Sequence, residues 1–263
     1  MKKEINYKKT MANTLSALNL FKDEIKSATL IHIPHSGTHI PTFESMNEEI
    51  AKKEIELLTD WATEEIFDIK ECAQLVVPFS RVFCDVERLP DEQEMMYKKG
   101  RGFYYTHADD GTRLRSDNPA LKQRILNEYY QPHHDELLKI CQDKIDKHGH
   151  CYIIDAHSFS EEALQTEENR HAERPDICIG TDDFHTPDFW INELKNHFEN
   201  NGLTVAINQP YNGTIVPLPM YKKEDKLYSI MIEVNKRCYM QNGKVLPEKV
   251  KYLNTLMNAI YEF

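Results

Sequence analysis

Short apolar and β-branched runs alternate with longer amphipathic stretches along this chain, and this alternation restricts the fold more than any other feature of the sequence. Consecutive apolar positions are typical of strands buried on both faces of a sheet. The runs predicted as strands are Ala28–Ile33, Gln74–Pro78, Val82–Val86, Cys151–Ala156, Asp176–Gly180, Thr204–Asn208 and Ser229–Val234. We therefore predict an α/β fold: a single domain over residues 1–263 with a central, mixed and mostly parallel sheet flanked by helices.

Three long helices are expected between and after these strands. The first spans Glu44 to about Lys70, and the second starts at the capping residue Asp117, with a kink at Pro132, and stops at Gly149. The third follows Pro247 and has a regular apolar stripe. The segment 97–117 is rich in Gly, Tyr, Arg and Asp without periodicity, and long loops of this kind are often lids or substrate loops.

Composition excludes several classes of protein. A formal net charge of −11 argues against a nucleic-acid partner, although a few arginines in a pocket can still bind a small anionic substrate. No run approaches the ~18 apolar residues of a membrane span, and residues 1–21 lack the apolar core of a signal peptide. Six scattered cysteines without a C-x-x-C pair fit reduced thiols, so we expect a cytoplasmic protein. The oligomeric state stays open.

Two histidines lie just beyond predicted strand ends, where ligands collect in open α/β sheets. His35 follows the first strand and His157 follows Asp155 in the segment YIIDAHSFS. Two imidazoles and a carboxylate would make an open zinc site, with Asp155 orienting His157. Each residue could equally be an ordinary hydrogen-bonded turn residue.

Charged residues near other strand ends have two interpretations as well. Glu233 lies in an apolar strand, where it is either a buried general base or a partner of Lys236 or Arg237. Arg88 suits a bidentate grip on a substrate carboxylate, or it pairs within the chain. His134, next to His133 and the proline, faces either a cleft or solvent.

Seven segments, in order, resemble the N-formylglutamate amidohydrolase family over about residues 28–240. They are PHSGTHIP (34–41), LTDWATEEIF (58–67), FSRVFCDVER (79–88), EYYQPHHDEL (128–137), DAHSFS (155–160), NQPYNGTIVPLP (208–219) and IEVNKRCYM (232–240). The family in turn resembles zinc carboxypeptidases and aspartoacylase-like enzymes, so the resemblance implies a zinc-exopeptidase-like fold and one catalytic Zn²⁺.

The resemblance also implies roles for individual residues. His35 and His157 correspond to metal ligands, Arg88 to the arginine that engages a substrate carboxylate, and Glu233 to the catalytic glutamate. The carboxypeptidase pattern has a glutamate three residues after the first histidine, where this chain has Thr38.

The third ligand must therefore come from elsewhere. Asp60 in LTDWATEEIF is the preferred candidate and Asp85 the second, while nothing in the family pattern requires His39.

Two departures from the family pattern concern the substrate. Glu87 replaces an asparagine, and Lys236, followed by Arg237, replaces an arginine. Together with His134 and Arg88, Lys236 and Arg237 are the predicted substrate-binding residues. The predicted activity is zinc-dependent hydrolysis of N-formyl-L-glutamate to formate and glutamate.

Two alternatives stay open. One is hydrolysis of another N-acyl amino acid or a short peptide. The other is a catalytically silent protein that binds acidic metabolites.

Overall fold

Six of the seven predicted strands form one sheet in the structure, a computed structural model that describes residues 23–167, 170–171 and 173–261. The strand order is β2-β1-β3-β6-β4-β5. The strands are β1 (Thr29–Ile33), β2 (Ala73–Val76), β3 (Cys151–Phe159), β4 (Ile177–Gly180), β5 (Val205–Ile207) and β6 (Leu227–Asn235). A two-residue pair, β7 (Met240–Gln241) and β8 (Lys244–Val245), forms a separate hairpin.

The sheet is mostly parallel. β1 runs parallel to β2 and β3, β3 to β6, and β4 to β5, whereas β4 and β6 are antiparallel. All nine residues of β3 are paired with β6, which makes these two long strands the centre of the sheet. The predicted mixed α/β fold is confirmed.

Of the helices after β1, the second, fourth, fifth and sixth pack on the sheet and bury its apolar side chains, and the first and third pack in a second core with side chains of residues 77–86 and 103–105. In chain order these helices are α1 (Glu48–Leu58), α2 (Thr63–Ile66), α3 (Pro119–Ile125), α4 (Gln131–His148), α5 (Asp188–Asn200) and α6 (Pro247–Ala259). Residues 23–28 are also helical. Short 3₁₀ turns occur at Tyr97–Lys99 and Lys236–Cys238.

The expected helix from Glu44 to Lys70 is two helices instead of one. α1 starts at the cap Asn47 and ends at Leu58, and α2 follows a break at residues 59–62. In this break the backbone N–H of Asp60 donates to the carbonyl of His35 at 3.0 Å. The interruption therefore brings an aspartate next to the loop that follows β1.

The predicted strand Val82–Val86 was wrong. This segment is a series of turns in which the N–H groups of Phe83 and Cys84 both donate to the carbonyl of Ser80. The side chains are buried as expected of a core strand, but the segment is not part of the sheet. One consequence is that Arg81 and Asp85 face each other four residues apart.

The predicted helix from residue 117 to 149 is present with two corrections. Asn118, rather than Asp117, is its cap, because the Asn118 side chain accepts from the N–H of Leu121. The expected kink takes the form of a π turn, Leu126–Tyr130, between α3 and α4. Pro132 has no N–H and its ring clashes with the carbonyl four residues earlier, which a π turn relieves.

Other predictions concern the chain as a whole. Residues 1–21, where the absence of a signal sequence was predicted, lie outside the described residues. Within the described part of the chain, no helix is both long enough and apolar enough to cross a membrane. The six cysteines are free thiols.

Candidate active site

Three side chains from separate parts of the chain converge at the carboxyl edge of the sheet. His35 follows β1, His157 lies near the end of β3, and Asp60 lies between α1 and α2. The two histidine Nδ1 atoms are 3.2 Å apart, and Asp60 Oδ2 lies 3.3 Å from that of His157 and 3.8 Å from that of His35. Each residue is at most 4% exposed. The structure thus brings together the two predicted metal histidines and the preferred aspartate.

The outer nitrogens of both histidines are oriented by other carboxylates. His35 Nε2 donates to Asp85 Oδ1 at 2.9 Å, and His157 Nε2 donates to Asp155 Oδ1 at 3.1 Å. A neutral imidazole carries one proton, so these hydrogen bonds leave a lone pair on each Nδ1. Asp85, the second candidate ligand, therefore lies behind His35, on the side of the ring away from Asp60.

Two nitrogen lone pairs and a carboxylate oxygen now face one another without a donor between them. This arrangement requires a cation, either a proton or a metal ion. Although burial opposes it, Asp155 and Glu87 raise the pKa of His157 well above its ordinary value, so a proton fills this role when no metal is bound. The spacing is close to the roughly 3.3 Å edge of a tetrahedron with Zn–N bonds of about 2.0 Å.

Glu233 is the neighbour of His157 across the β3–β6 ladder. Its Oε2 is buried and has no hydrogen-bond partner among the described residues. Burial raises the pKa of Glu233 to about 8; His157 opposes this shift and Asp60 adds to it. A buried carboxyl without an internal partner is a candidate for proton transfer.

Asp85 accepts hydrogen bonds from three side chains on the side of His35 away from Asp60. Its fully buried carboxylate accepts from His35 Nε2, from Arg81 Nε and Nη2 at 3.1 and 2.8 Å, and from the Tyr105 hydroxyl at 2.6 Å. Burial favours the neutral acid, but Arg81 and His35 hold the pKa of Asp85 well below its usual range. Asp85 is therefore a fixed anion that orients one histidine and one arginine.

Arg81 was missed by the sequence analysis. Its charge acts on Asp60, Glu233 and Lys236, so the guanidinium lies beside the converging ligands. The residue belongs to the segment FSRVFCDVER, but the incorrect strand prediction hid its spacing to Asp85. An i, i+4 arginine–aspartate pair was the available signal.

Two of the predicted substrate-binding residues lie near the site. Lys236 donates to the carbonyl of Leu57 at 3.4 Å, and burial lowers its pKa despite the nearby Asp60. Arg88 lies 3.8 Å from Asp85 and 3.5 Å from Glu94, and its buried Nε makes no hydrogen bond to any described residue.

Three other histidine and arginine side chains have different contacts. Arg237 is bound by Asp176 through Nε and Nη2, both at 3.0 Å. His134 Nε2 donates to the carbonyl of Val86 at 2.9 Å. His39 is exposed. The structure does not bring these three side chains to the converging ligands.

Glu87, which replaces an asparagine of the family pattern, contacts other side chains of the protein. Its carboxylate faces two imidazoles, with Oε2 3.3 Å from His157 Nε2 and Oε1 3.3 Å from His32 Nδ1. The side chain is therefore behind the metal-ligand candidate His157, where imidazole N–H groups attract a carboxylate that has little contact with solvent.

The 97–117 segment is packed rather than loose. Phe103, Tyr104, Tyr105 and Leu114 are all buried, and Tyr105 supplies the hydroxyl bound to Asp85. Asp109 accepts from the backbone N–H groups of Gln165 and Thr166, which ties the segment to the loop after β3. Its expected role as a substrate loop remains a prediction.

Fold and site together define an α/β protein with a candidate metal centre at the carboxyl edge of a mostly parallel sheet. The model of the N-formylglutamate amidohydrolase family matches residues 27–240, and the chain belongs to this family. It is accordingly a hydrolase that acts on an amide.

Solved structures share the fold. A crystal structure of N-formylglutamate amidohydrolase from Ralstonia eutropha JMP134 is similar with a TM-score of 0.74 and 21% identity, covering 89% of this chain and 93% of that one. The gene product Atu2144 from Agrobacterium tumefaciens is similar with a TM-score of 0.64 and 17% identity, covering 92% and 93%. A comparison with curated proteins gives no significant match.

The role of Asp85 can be tested by Asp85→Asn. Neutralising this buried anion leaves Arg81 without its charge partner, so we expect the free energy of unfolding of the metal-free protein to fall by roughly 3–5 kcal/mol. Urea denaturation measures the change. The matched control is Asp117→Asn, which removes an exposed partner of Arg113 and should change stability little. Equal effects of the two substitutions would contradict the role assigned to Asp85.

Proposed function

We propose that this protein is a metal-dependent amidohydrolase that cleaves N-formyl-L-glutamate to formate and glutamate, with one Zn²⁺ at the reaction centre. Family membership supports the substrate and the reaction. The observation that carries the metal dependence is the convergence of His35 Nδ1, His157 Nδ1 and Asp60 Oδ2. These three buried acceptors suit Zn²⁺, which catalytic sites bind with three protein ligands and one open position.

The ion, when bound, supplies a Lewis acid that polarises the amide carbonyl and acidifies water. The protein holds its ligands rigidly for this purpose, because Asp85 and Asp155 fix both imidazoles in the tautomer that presents Nδ1. Burial of the set also excludes competing water, which strengthens each electrostatic interaction.

Glu233 is the proton carrier in this proposal. It removes a proton from water as the oxygen adds to the formyl carbon, and it then delivers that proton to the leaving nitrogen of glutamate. The pKa of about 8 refers to the metal-free protein. A nearby dication favours the carboxylate, so the loaded protein would have the base in its ionised form near neutral pH.

The cationic side chains near the site have two roles in this proposal: one stabilises the reacting carbonyl oxygen, and two bind the substrate carboxylates. Arg81 lies beside the ligands with Nε and Nη2 bound to Asp85, and no described residue accepts a hydrogen bond from its Nη1. It is therefore suited to stabilise the negative charge that develops on the carbonyl oxygen. Lys236 and Arg88 have only long contacts within the protein and are suited to bind the substrate carboxylates.

One observation favours a different N-acyl amino acid as the substrate. Arg237 is bound to Asp176, and Glu87 faces His32 and His157, so two positions expected to recognise glutamate have other partners. The reaction would be the same, but a less acidic N-acyl amino acid would need fewer cations.

Substrate identity can be tested with a panel of N-formyl-L-glutamate, N-formyl-L-alanine and N-acetyl-L-glutamate. We expect the kcat/KM for N-formyl-L-glutamate to exceed that for N-formyl-L-alanine by about tenfold or more, because Lys236 and Arg88 remain for its two carboxylates. N-acetyl-L-glutamate has the same two carboxylates and therefore reports on the acyl group alone. Chelation should abolish the activity and Zn²⁺ should restore it. Preference for N-formyl-L-alanine would support the alternative, and chelator-resistant turnover would contradict the proposed metal dependence.

The role of Glu233 is tested by Glu233→Gln. We expect kcat to fall by about 10²–10⁴-fold, because glutamine cannot carry the proton. Zinc content should be unchanged, since Glu233 is not among the three converging ligands. The matched control is Glu193→Gln on the exposed face of α5, which should retain full activity. Full activity of Glu233→Gln would show that another group carries the proton.

A further inference from the structure

A second group of buried side chains lies on the opposite side of His157 from Asp60. It consists of His32 on β1, Asp155 on β3, Glu87 and the outer nitrogen of His157 itself. His32 is fully buried and Asp155 has no exposed surface, while the Glu87 side chain is 16% exposed. The register of β1 and β3 pairs His32 directly with Asp155.

The four groups form a ring in which nitrogen and oxygen atoms alternate. His32 Nδ1 is 2.9 Å from Asp155 Oδ1, which is 3.1 Å from His157 Nε2. Glu87 closes the ring at 3.3 Å from each of these nitrogens through its two oxygens. These separations lie in the range of ligand–ligand distances around a small divalent ion, because bonds of about 2.0–2.2 Å give edges of roughly 2.8–3.1 Å in an octahedron and roughly 3.3–3.6 Å in a tetrahedron.

Hydrogen bonds within the protein do not satisfy every polar atom of this ring. Glu87 Oε1 is buried and has no hydrogen-bond partner among the described residues, although it lies 3.3 Å from His32. Two carboxylates, those of Glu87 and Asp155, also meet here and need positive charge close to them. A cation within the ring would satisfy both requirements.

We propose that His32, Glu87, Asp155 and His157 Nε2 form a second binding site for a divalent transition-metal ion, with His157 bridging the two ions as an imidazolate. The inference rests on the proposed function for the first ion, at His157 Nδ1, and adds a second. Binding at Nε2 replaces the hydrogen bond to Asp155 and releases the ring proton of His157 to solvent. The mixed imidazole and carboxylate ligands suit Zn²⁺, Mn²⁺ or Co²⁺.

The second ion would not contact the substrate. The two ions lie on opposite sides of an imidazole ring, farther apart than the ~3.5–4 Å of metal pairs that act together on one substrate. His32 and Asp155 leave this site almost no solvent contact. Its function is therefore to fix the orientation of His157 and to neutralise Glu87 and Asp155.

Zinc stoichiometry tests the proposal. Chelated protein is loaded with excess Zn²⁺ alone, desalted, and analysed for bound zinc. We expect two equivalents in the wild type, one in Glu87→Gln, and two in the control Glu136→Gln, whose carboxylate is exposed on α4. Asp60→Asn should lose the first equivalent and formate release while it keeps the second.

One equivalent in the wild type, or two in Glu87→Gln, would overturn the proposal. If Glu87→Gln fails to fold, His32→Gln is judged by the same criterion. The wild type loaded with two Cu²⁺ ions provides a measurement that needs no variant: the bridge predicts magnetically coupled copper in the EPR spectrum, and two isolated signals would overturn it.

These results separate the second site from the hydrolase proposal. A protein that binds one zinc and releases formate keeps the proposed function and loses the second site. A protein that binds two zinc ions as predicted without hydrolysing any N-acyl amino acid keeps the second site and loses the proposed function.

Discussion

The register of β3 between β1 and β6 is the constraint on which the rest of the site depends. It pairs Asp155 with His32 on one side and His157 with Glu233 on the other. A shift by one residue would turn His157 to the opposite face of the sheet and separate it from Glu233. Because both neighbouring pairings are parallel and buried, the position of the proton carrier relative to the metal-ligand candidate is set by backbone hydrogen bonds, not by flexible loops.

Burial of so many charged groups has an electrostatic consequence. Asp60, Asp85, Asp155 and Glu233 are each at most 8% exposed within one small region, so their charges must be compensated locally. Arg81 compensates Asp85 permanently, whereas the histidines offer lone pairs that accept either protons or a metal ion. The same carboxylates that raise the pKa of His157 also attract a divalent cation. Metal binding and protonation therefore compete for the same atoms.

The sequence was sufficient for much of the sheet and for the converging triad, because strand ends and the family resemblance both pointed to His35 and His157, and the resemblance pointed to Asp60. The sequence was insufficient for residues whose positions depend on contacts between distant segments rather than on the local sequence pattern. Val82–Val86 has the composition of a strand, but turns bring Arg81 to Asp85. Glu87 was interpreted through the substrate, yet its position behind His157 depends on β1 and β3 meeting. Arg237 was predicted to bind the substrate, but its guanidinium is bound by Asp176, the residue before β4.

The central claim is that a divalent ion lies between His35, His157 and Asp60, and anomalous diffraction at the zinc edge tests it most directly. Crystals of zinc-loaded protein should show an anomalous peak about 2.0–2.2 Å from both Nδ1 atoms and from Asp60 Oδ2. Glu233 should lie beside this peak without ligating it. Absence of a peak there, or a peak bound instead through Asp85, would contradict the account.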